Sequence, residues 1–133
     1  MDDLPPGFAP HRRHSPLTAP WEPIFARIDE RGCSLGLRLA EPHANARGFA
    51  HGGLIAALAD NAMGLSCAMR YAEPPALVTL SLHVDYLGVA RLGQWLEWTP
   101  TFVRAGGSVA FASLLVTANG EPCAKAGATF KAR

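Results

Sequence analysis

Apolar and polar residues alternate with the period of a β-strand in two parts of the chain. Over residues 33–40, Leu35, Leu37 and Leu39 face one way, while Ser34, Gly36 and Arg38 face the other. Residues 78–86 alternate in the same way, with Thr79 on the polar side. Because side chains of a strand point to opposite faces in turn, both stretches predict strands of a sheet.

The last third of the chain predicts three more strands. Pro100 interrupts the first of them, which indicates a bulge or a sheet edge because proline cannot donate to a ladder. The dipeptide Asn119-Gly120 is a typical hairpin turn between the other two. The three stretches are residues 95–103, 108–117 and 122–131.

Helical patterns occur in two places. Residues 53–70 are rich in alanine and leucine and carry little charge, which predicts a helix buried on nearly all sides. Residues 21–28 place three apolar side chains on one helical face and predict a short helix. Together these elements predict an α+β fold in which one long helix packs against a curled antiparallel sheet of about five strands.

Composition limits the chain to one compact domain. It has 133 residues, of which 49% are hydrophobic and 17% are charged, so a substantial core is available and disorder is excluded as a general state. Five prolines within residues 1–20 predict an extended N-terminal arm, which leaves residues 21–133 as the domain. The low share of charged residues indicates that a partner subunit covers part of the surface.

Charge and cysteine content exclude several classes of function. The formal net charge is +1, which leaves no footprint for nucleic acid, and the basic cluster at residues 11–14 is interpreted as a solvated face of the arm. Three cysteines in no metal-binding spacing predict buried, reduced thiols in a cytoplasmic protein. Neither a signal peptide nor a run long enough to span a membrane is present in the sequence, so no membrane partner is expected.

The chemistry of the chain is concentrated around the start of the long helix. Gly52 and Gly53 allow the backbone to approach a ligand closely, and the first N–H groups of the helix that follows are free to bind an oxyanion. One carboxylate, Asp60, then lies in an otherwise apolar helix. An oxyanion donor combined with a carboxylate indicates acyl transfer, so we expect a hydrolase of acyl thioesters.

These residues also resemble a known family. Asn45, the triplet His51-Gly52-Gly53 and Asp60 stand at the spacings found in hot-dog-fold thioesterases of the phenylacetate-degradation branch. The similarity continues through residues 58–62, 78–86, 103–111 and 124–130 and covers most of the chain after residue 21. The resemblance implies a hot-dog fold, hydrolysis of aryl or medium-chain acyl-CoA thioesters, and a homodimer paired into a dimer of dimers.

The resemblance assigns five residues to catalysis. It implies that Asp60 is the nucleophile or general base and that the Gly52 N–H polarises the thioester carbonyl. Asn45 is expected to position the water or the sulfur, His51 to anchor the loop near the thioester, and Thr79 to hold the attacking water. Four of the five have a plainer alternative: Asp60 as a hydrogen-bonded structural acid, Asn45 as a turn asparagine, His51 as a loop histidine and Thr79 as a strand threonine.

Contacts with the rest of the substrate are assigned to Gly53 and to one turn. Arg104 and the turn at Gly106, Gly107 and Ser108 resemble the hairpin that lies near the CoA nucleotide in this family, and Arg104 is expected to pair with a phosphate unless it is a solvated turn residue. No metal-ligand cluster is apparent in the sequence. No cofactor is expected, since coenzyme A is part of the substrate.

Helix geometry places a condition on this site. Gly53 and Asp60 are seven residues apart, so they lie roughly 10 Å apart along the helix axis and cannot both touch one carbonyl. An antiparallel second copy of the helix would supply the missing partner, so the site is expected to be shared across a two-fold dimer. The alternatives are a non-catalytic acyl-CoA binding module and a hot-dog hydratase or dehydratase.

Overall fold

The protein consists of one long helix packed against one seven-stranded antiparallel sheet. The computed structural model describes residues 3–132, so Met1 and Asp2 of the predicted arm, and Arg133 at the end of the predicted domain, lie outside the described residues. The sheet order is β1-β2-β3-β5-β6-β7-β4. The helix α1 spans Gly52–Ala68, and short 3-10 turns occupy Ala19–Trp21 and Glu41–His43. The strands are β1 Ala9–Pro10, β2 Phe25–Asp29, β3 Gly32–Arg38, β4 Leu77–Tyr86, β5 Trp95–Ala105, β6 Val109–Ala118 and β7 Glu121–Ala132.

The α+β architecture is confirmed, but the short helix predicted over residues 21–28 is wrong. Phe25–Asp29 is instead the strand β2, which forms a tight hairpin with β3 and places Ile28 opposite Cys33. In so short a stretch a few apolar residues fit either period, and the adjacent strand decides the outcome. Strands β1 and β2 raise the number of strands from the predicted five to seven.

The helix α1 forms the centre of the hydrophobic core, as its composition predicts. It begins one residue before the predicted start at residue 53 and ends two residues before the predicted end at residue 70. Trp98 of β5 donates from its indole Nε1 to the Ile55 carbonyl at 3.0 Å, which fixes the helix to the sheet. Ser66 accepts the Cys33 N–H at 2.9 Å and donates to the Ala62 carbonyl at 2.7 Å. These bonds satisfy polar groups that the core would otherwise leave unpaired.

Two predictions of local backbone geometry are confirmed. The pairing of β5 with β6 shifts register after Pro100, which is the predicted bulge. Asn119 and Gly120 both adopt positive φ, at 49° and 86°, as a tight hairpin of strands β6 and β7 requires. The Asn119 side chain also accepts the Trp95 N–H at 2.7 Å and so ties the hairpin to β5.

Strand β4 is an unprotected edge of the sheet. Among residues 3–132 it pairs with β7 alone, and its alternating apolar residues do not form a buried face: Val78 is 44%, Leu80 56% and Leu82 39% exposed. A long edge strand with exposed apolar side chains is a surface onto which another strand can add. The other strands that flank α1 carry their alternate residues into the core.

The N-terminal arm packs along the opposite edge of the sheet. Ala9–Pro10 pairs with β2, and Phe8 is buried with its ring 5.3 Å from that of Trp95. The interpretation of the basic cluster as solvated agrees with the exposure of Arg12 and Arg13, whereas His11 is half-buried. The arm is therefore partly built into the fold.

The predicted state of the cysteines agrees with the structure. Cys33, Cys67 and Cys123 are all buried and free of disulfide bonds. Burial raises the pKa of each thiol to about 11. The thiols are therefore part of the core, and none carries the thiolate that nucleophilic chemistry requires.

Candidate active site

Asp60 lies midway along α1 and faces the beginning of β4. Its neighbours Leu58 and Ala59 are buried, whereas Asp60 is half-buried. Thr79 of β4 donates from Oγ1 to Asp60 Oδ1 at 2.8 Å. The pairing of β4 with β7 shifts register between Thr79 and Ser81, so a bulge lies directly beside this contact. Two of the residues that sequence reasoning placed near the attacking water, Asp60 and Thr79, are therefore neighbours.

Asp60 and Thr79 line a cavity of about 510 Å³. Asn61 and Gly64 of the helix form one wall, and Phe130 of β7 forms another. A carboxylate at the wall of such a cavity can reach a bound carbonyl carbon or a water molecule. Gly64 has no side chain, and a Cβ there would make an ordinary contact with the Phe130 ring at 3.5 Å.

The start of α1 leaves the Gly52 N–H group available. His51 is the N-cap residue, and its Nδ1 accepts the Gly53 N–H at 2.8 Å. The His51 ring therefore caps the helix start. The Gly52 N–H has no acceptor among residues 3–132. Of the two glycine donors, Gly52 is thus the one that remains free for an oxyanion.

Tyr86 contributes to the helix start and was missed by sequence reasoning. Its hydroxyl donates to the Gly52 carbonyl at 2.6 Å, and its ring lies so close that a Cβ on Gly52 would meet Tyr86 Cζ at 3.3 Å. The contact holds the backbone of Gly52 in place and explains why glycine suits this position. The only signal in the sequence was the place of Tyr86 as the last apolar residue of an alternating strand.

Asn45 uses its carbonyl oxygen within its own loop. Oδ1 accepts the N–H groups of Arg47 at 2.9 Å and Phe49 at 3.1 Å, which is the turn pattern of the plainer alternative. The Asn45 Nδ2 group makes no hydrogen bond within the described part of the chain. This leaves the amide nitrogen available as a donor.

The hairpin assigned to coenzyme A lies at the far end of the helix. Tyr71, just after α1, donates to the Gly106 carbonyl at 2.8 Å, so the turn with Gly107 and Ser108 sits beside the C-terminal end of α1. Arg104 is exposed there.

The structure therefore separates the predicted residues into three groups. The helix start, with Asn45, is one; Asp60 and Thr79 form the second; and the hairpin is the third. Asp60 lies eight residues, or about 12 Å of helix, from Gly52. The C-terminal end of α1, beside the hairpin, lies about 24 Å from Gly52. A single protomer does not bring the proposed oxyanion donor to the carboxylate.

Residues 3–132 contain neither a metal-binding cluster nor a membrane-spanning helix. Within residues 3–132, no three His, Cys, Asp or Glu side chains are grouped so that they could hold a metal ion. No helix in that part of the chain is long and apolar enough to cross a membrane.

Comparison with known proteins identifies the family. The Thioesterase superfamily profile matches residues 47–124. A Pseudomonas aeruginosa protein named "Putative esterase PA0474" is 42% identical over 114 residues, which cover 85% of each chain. Human acyl-coenzyme A thioesterase 13 is 35% identical over 83 residues, which are 61% of this chain and 57% of that protein.

A solved structure shows the same fold. A mutant of the phenylacetic acid degradation protein PaaI from Thermus thermophilus superposes with a TM-score of 0.73 at 23% identity, covering 83% of this chain and 93% of that one. The predicted hot-dog fold is thereby confirmed. The profile match over more than half of the sequence, and the relative that is 42% identical, place this chain in the thioesterase superfamily as a thioester hydrolase with the hot-dog fold.

Proposed function

We propose that the protein hydrolyses acyl-coenzyme A thioesters, with Asp60 as the attacking or activating carboxylate in a site shared by two copies of the chain. The observation that carries this proposal is the 2.8 Å hydrogen bond from Thr79 to Asp60 at the wall of a cavity. The likeness to human acyl-coenzyme A thioesterase 13 supports coenzyme A as the thiol half of the substrate. Aryl and medium-chain groups are the proposed acyl halves.

The chemistry can proceed by one of two routes. In one, an Asp60 oxygen attacks the thioester carbon, the C–S bond breaks, and water then hydrolyses the resulting mixed anhydride. In the other, Asp60 takes a proton from water as the water attacks, and the leaving thiolate is protonated in its turn. Both routes place negative charge on the carbonyl oxygen, which the free Gly52 N–H of the second copy stabilises. Thr79 orients the carboxylate in either case.

The exposed edge of β4 supports the shared site. The strand carries Thr79 near its start, beside Asp60, and Tyr86 at its end, beside Gly52. Antiparallel pairing of two β4 edges about a two-fold axis between residues 82 and 83 sets Thr79 opposite Tyr86 of the second copy. The same pairing covers the exposed apolar side chains of β4 and brings the Gly52 of one copy toward the Asp60 of the other. Pairing of two such dimers is also part of the proposal.

The assay for this function is release of free thiol from acyl-CoA by the wild-type protein and by Asp60→Asn. The substitution keeps the shape of the side chain but removes the base, so kcat is expected to fall by about 10² to 10⁴. Asp29→Asn is the matched control, since Asp29 lies on β2 in an ion pair with Arg27. Binding of acyl-CoA without thiol release by the wild type would favour the binding-module alternative. Hydrolysis by Asp60→Asn at the wild-type rate would reject the role of the carboxylate.

A further inference from the structure

The cavity beside Asp60 continues under the N-terminal arm. A second cavity of about 490 Å³ lies next to the first, and the two cavities share five of their lining residues. Two of these come from the arm, two from α1 and one from the turn after it. They are His11, Arg13, Leu65, Ala68 and Pro74. A groove thus leads from Asp60 along the C-terminal half of the helix and passes beneath the arm.

The far part of this groove is apolar. It is lined by Ala26 and Ile28 of β2, by Cys33 of β3 and by Met69 at the end of α1. Ile28 is 67% exposed and Met69 is 39% exposed, although both are large apolar side chains. Apolar surface left uncovered inside a groove is typical of a binding site for an apolar group.

The helix presents one face to the groove. Asn61, Leu65 and Ala68 stand at positions i, i+4 and i+7, so they line up along the axis directly after Asp60. Small residues keep the path open, since Gly64 has no side chain and Ala68 has a single methyl group. The groove therefore has a direction, from the carboxylate toward the end of the helix.

We infer that the acyl chain of the substrate runs from Asp60 along this face of α1 and beneath the N-terminal arm, so that the arm and Ala68 set the length of chain the protein accepts. The inference rests on the proposed function, because it takes Asp60 as the position of the scissile carbonyl. It makes the arm, which lies outside the matched superfamily region, a part of the substrate site.

The length of the groove defines the substrate class. Asp60 and Ala68 are eight residues apart, which is about 12 Å along the helix. An extended chain advances about 1.2 Å per bond, since a peptide residue of three bonds spans about 3.3–3.6 Å. At this advance per bond, a linear acyl group of about ten carbons fills the roughly 12 Å between Asp60 and Ala68. An acetyl group fills only the first part of the groove.

The two arm residues that line both cavities are compatible with such a chain. His11 is half-buried, and burial lowers the pKa of its imidazole, against the raising effect of Glu22 and with the lowering effects of His14 and Arg13. The ring is therefore neutral near pH 7. Arg13 is exposed and can place its methylene groups along the chain while its guanidinium stays in water.

The first test narrows the groove from the helix side with Ala68→Leu. The measured quantity is the ratio of kcat/KM for decanoyl-CoA to kcat/KM for acetyl-CoA. We expect this ratio to fall by about tenfold or more, which corresponds to displacing roughly two buried methylene groups. Ala72→Leu adds the same bulk at an exposed position outside the groove and should leave the ratio unchanged.

The second test narrows the groove from the arm side with His11→Trp. Leu17→Trp is the control, because Leu17 is 63% exposed and lines neither cavity. His11→Trp should lower the same ratio, with a thermal unfolding midpoint that shows the variant to be folded. Equal losses for both substrates in Ala68→Leu and His11→Trp would overturn the inference and leave the proposed function standing. Absence of thiol release by the wild type from every acyl-CoA would overturn the proposed function, and the inference with it.

Discussion

Thr79 on the edge strand donates a 2.8 Å hydrogen bond to Asp60 in the middle of the helix. The contact joins the one carboxylate of α1 to the strand that is free to pair with a second copy. A change at the β4 edge can therefore reach the proposed catalytic group directly.

Replacing Thr79 by valine removes this hydrogen bond while keeping the branched shape of the side chain. A hydrogen bond to a charged group contributes about 1.5–3 kcal/mol, so loss of the aligned carboxylate should lower kcat by about ten- to a hundredfold. Steady-state thiol release measures the effect. Thr79→Ser, which keeps the hydroxyl, should retain most of the activity, and equal losses in both variants would contradict a role for the hydrogen bond.

Gly52→Pro removes the N–H group assigned to the oxyanion without breaking the helix. Proline is favoured at the first helical position, and His51 before it has the extended conformation (φ −68°, ψ 132°) that a following proline requires. We expect kcat to fall by about 10² to 10³.

Gly52→Ala is the control for the added bulk near Tyr86, since it introduces a Cβ at the same place but keeps the N–H. If the alanine variant loses as much activity as the proline variant, crowding against Tyr86 explains the loss and the Gly52 N–H is not the donor.

Arg104→Ala tests the assignment of the exposed hairpin to the CoA phosphates. An exposed ionic contact contributes about 1 kcal/mol or less, so KM for an acyl-CoA should rise up to about fivefold, with little change in kcat. The acyl-pantetheine thioester lacks the nucleotide phosphates and should show no rise. Arg31→Ala provides the control at another exposed turn. A KM for acyl-CoA that stays at the wild-type value would remove Arg104 from the CoA site.

The buried thiols predict a pH dependence of stability. Burial raises the pKa of the three cysteines to about 11 from the ordinary value of 9.0, so the folded state keeps protons that the unfolded state loses. The free energy of unfolding should therefore decrease as the pH rises from about 9 toward 11. At about pH 8, below the ordinary thiol pKa, a disulfide reagent should label the cysteines of the denatured protein quickly and those of the native protein slowly. Rapid labelling of all three in the native state would show that they are not core residues.

Much of the fold could be predicted from the sequence because its signals are local. The buried helix, the strand at 33–40, the bulge at Pro100 and the turn at Asn119 each follow from residue types within a short stretch. The strand β2 could not be predicted in this way, since Trp21, Phe25 and Ile28 fit one face of a helix, and the pairing with β3 overrides that local pattern.

The candidate site was predictable only in part. The resemblance placed Thr79 near Asp60, but the free Gly52 N–H depends on how the His51 ring is oriented. Tyr86 contacts Gly52, which is 34 positions away in the sequence. His11 of the arm lines the same cavity as Asp60 of the helix. No local pattern in the sequence predicts either arrangement.

The measurement that tests the shared site most directly is complementation between two inactive variants. Asp60→Asn carries an intact helix start, and Gly52→Pro carries an intact carboxylate. Unfolding and refolding a mixture produces mixed dimers in which one of the two sites has both groups, so about a quarter of the wild-type activity should return in an equal mixture. Separate samples of each variant, treated identically, should stay inactive. No recovery from a mixture that demonstrably contains mixed dimers would contradict a site built from two copies of the chain.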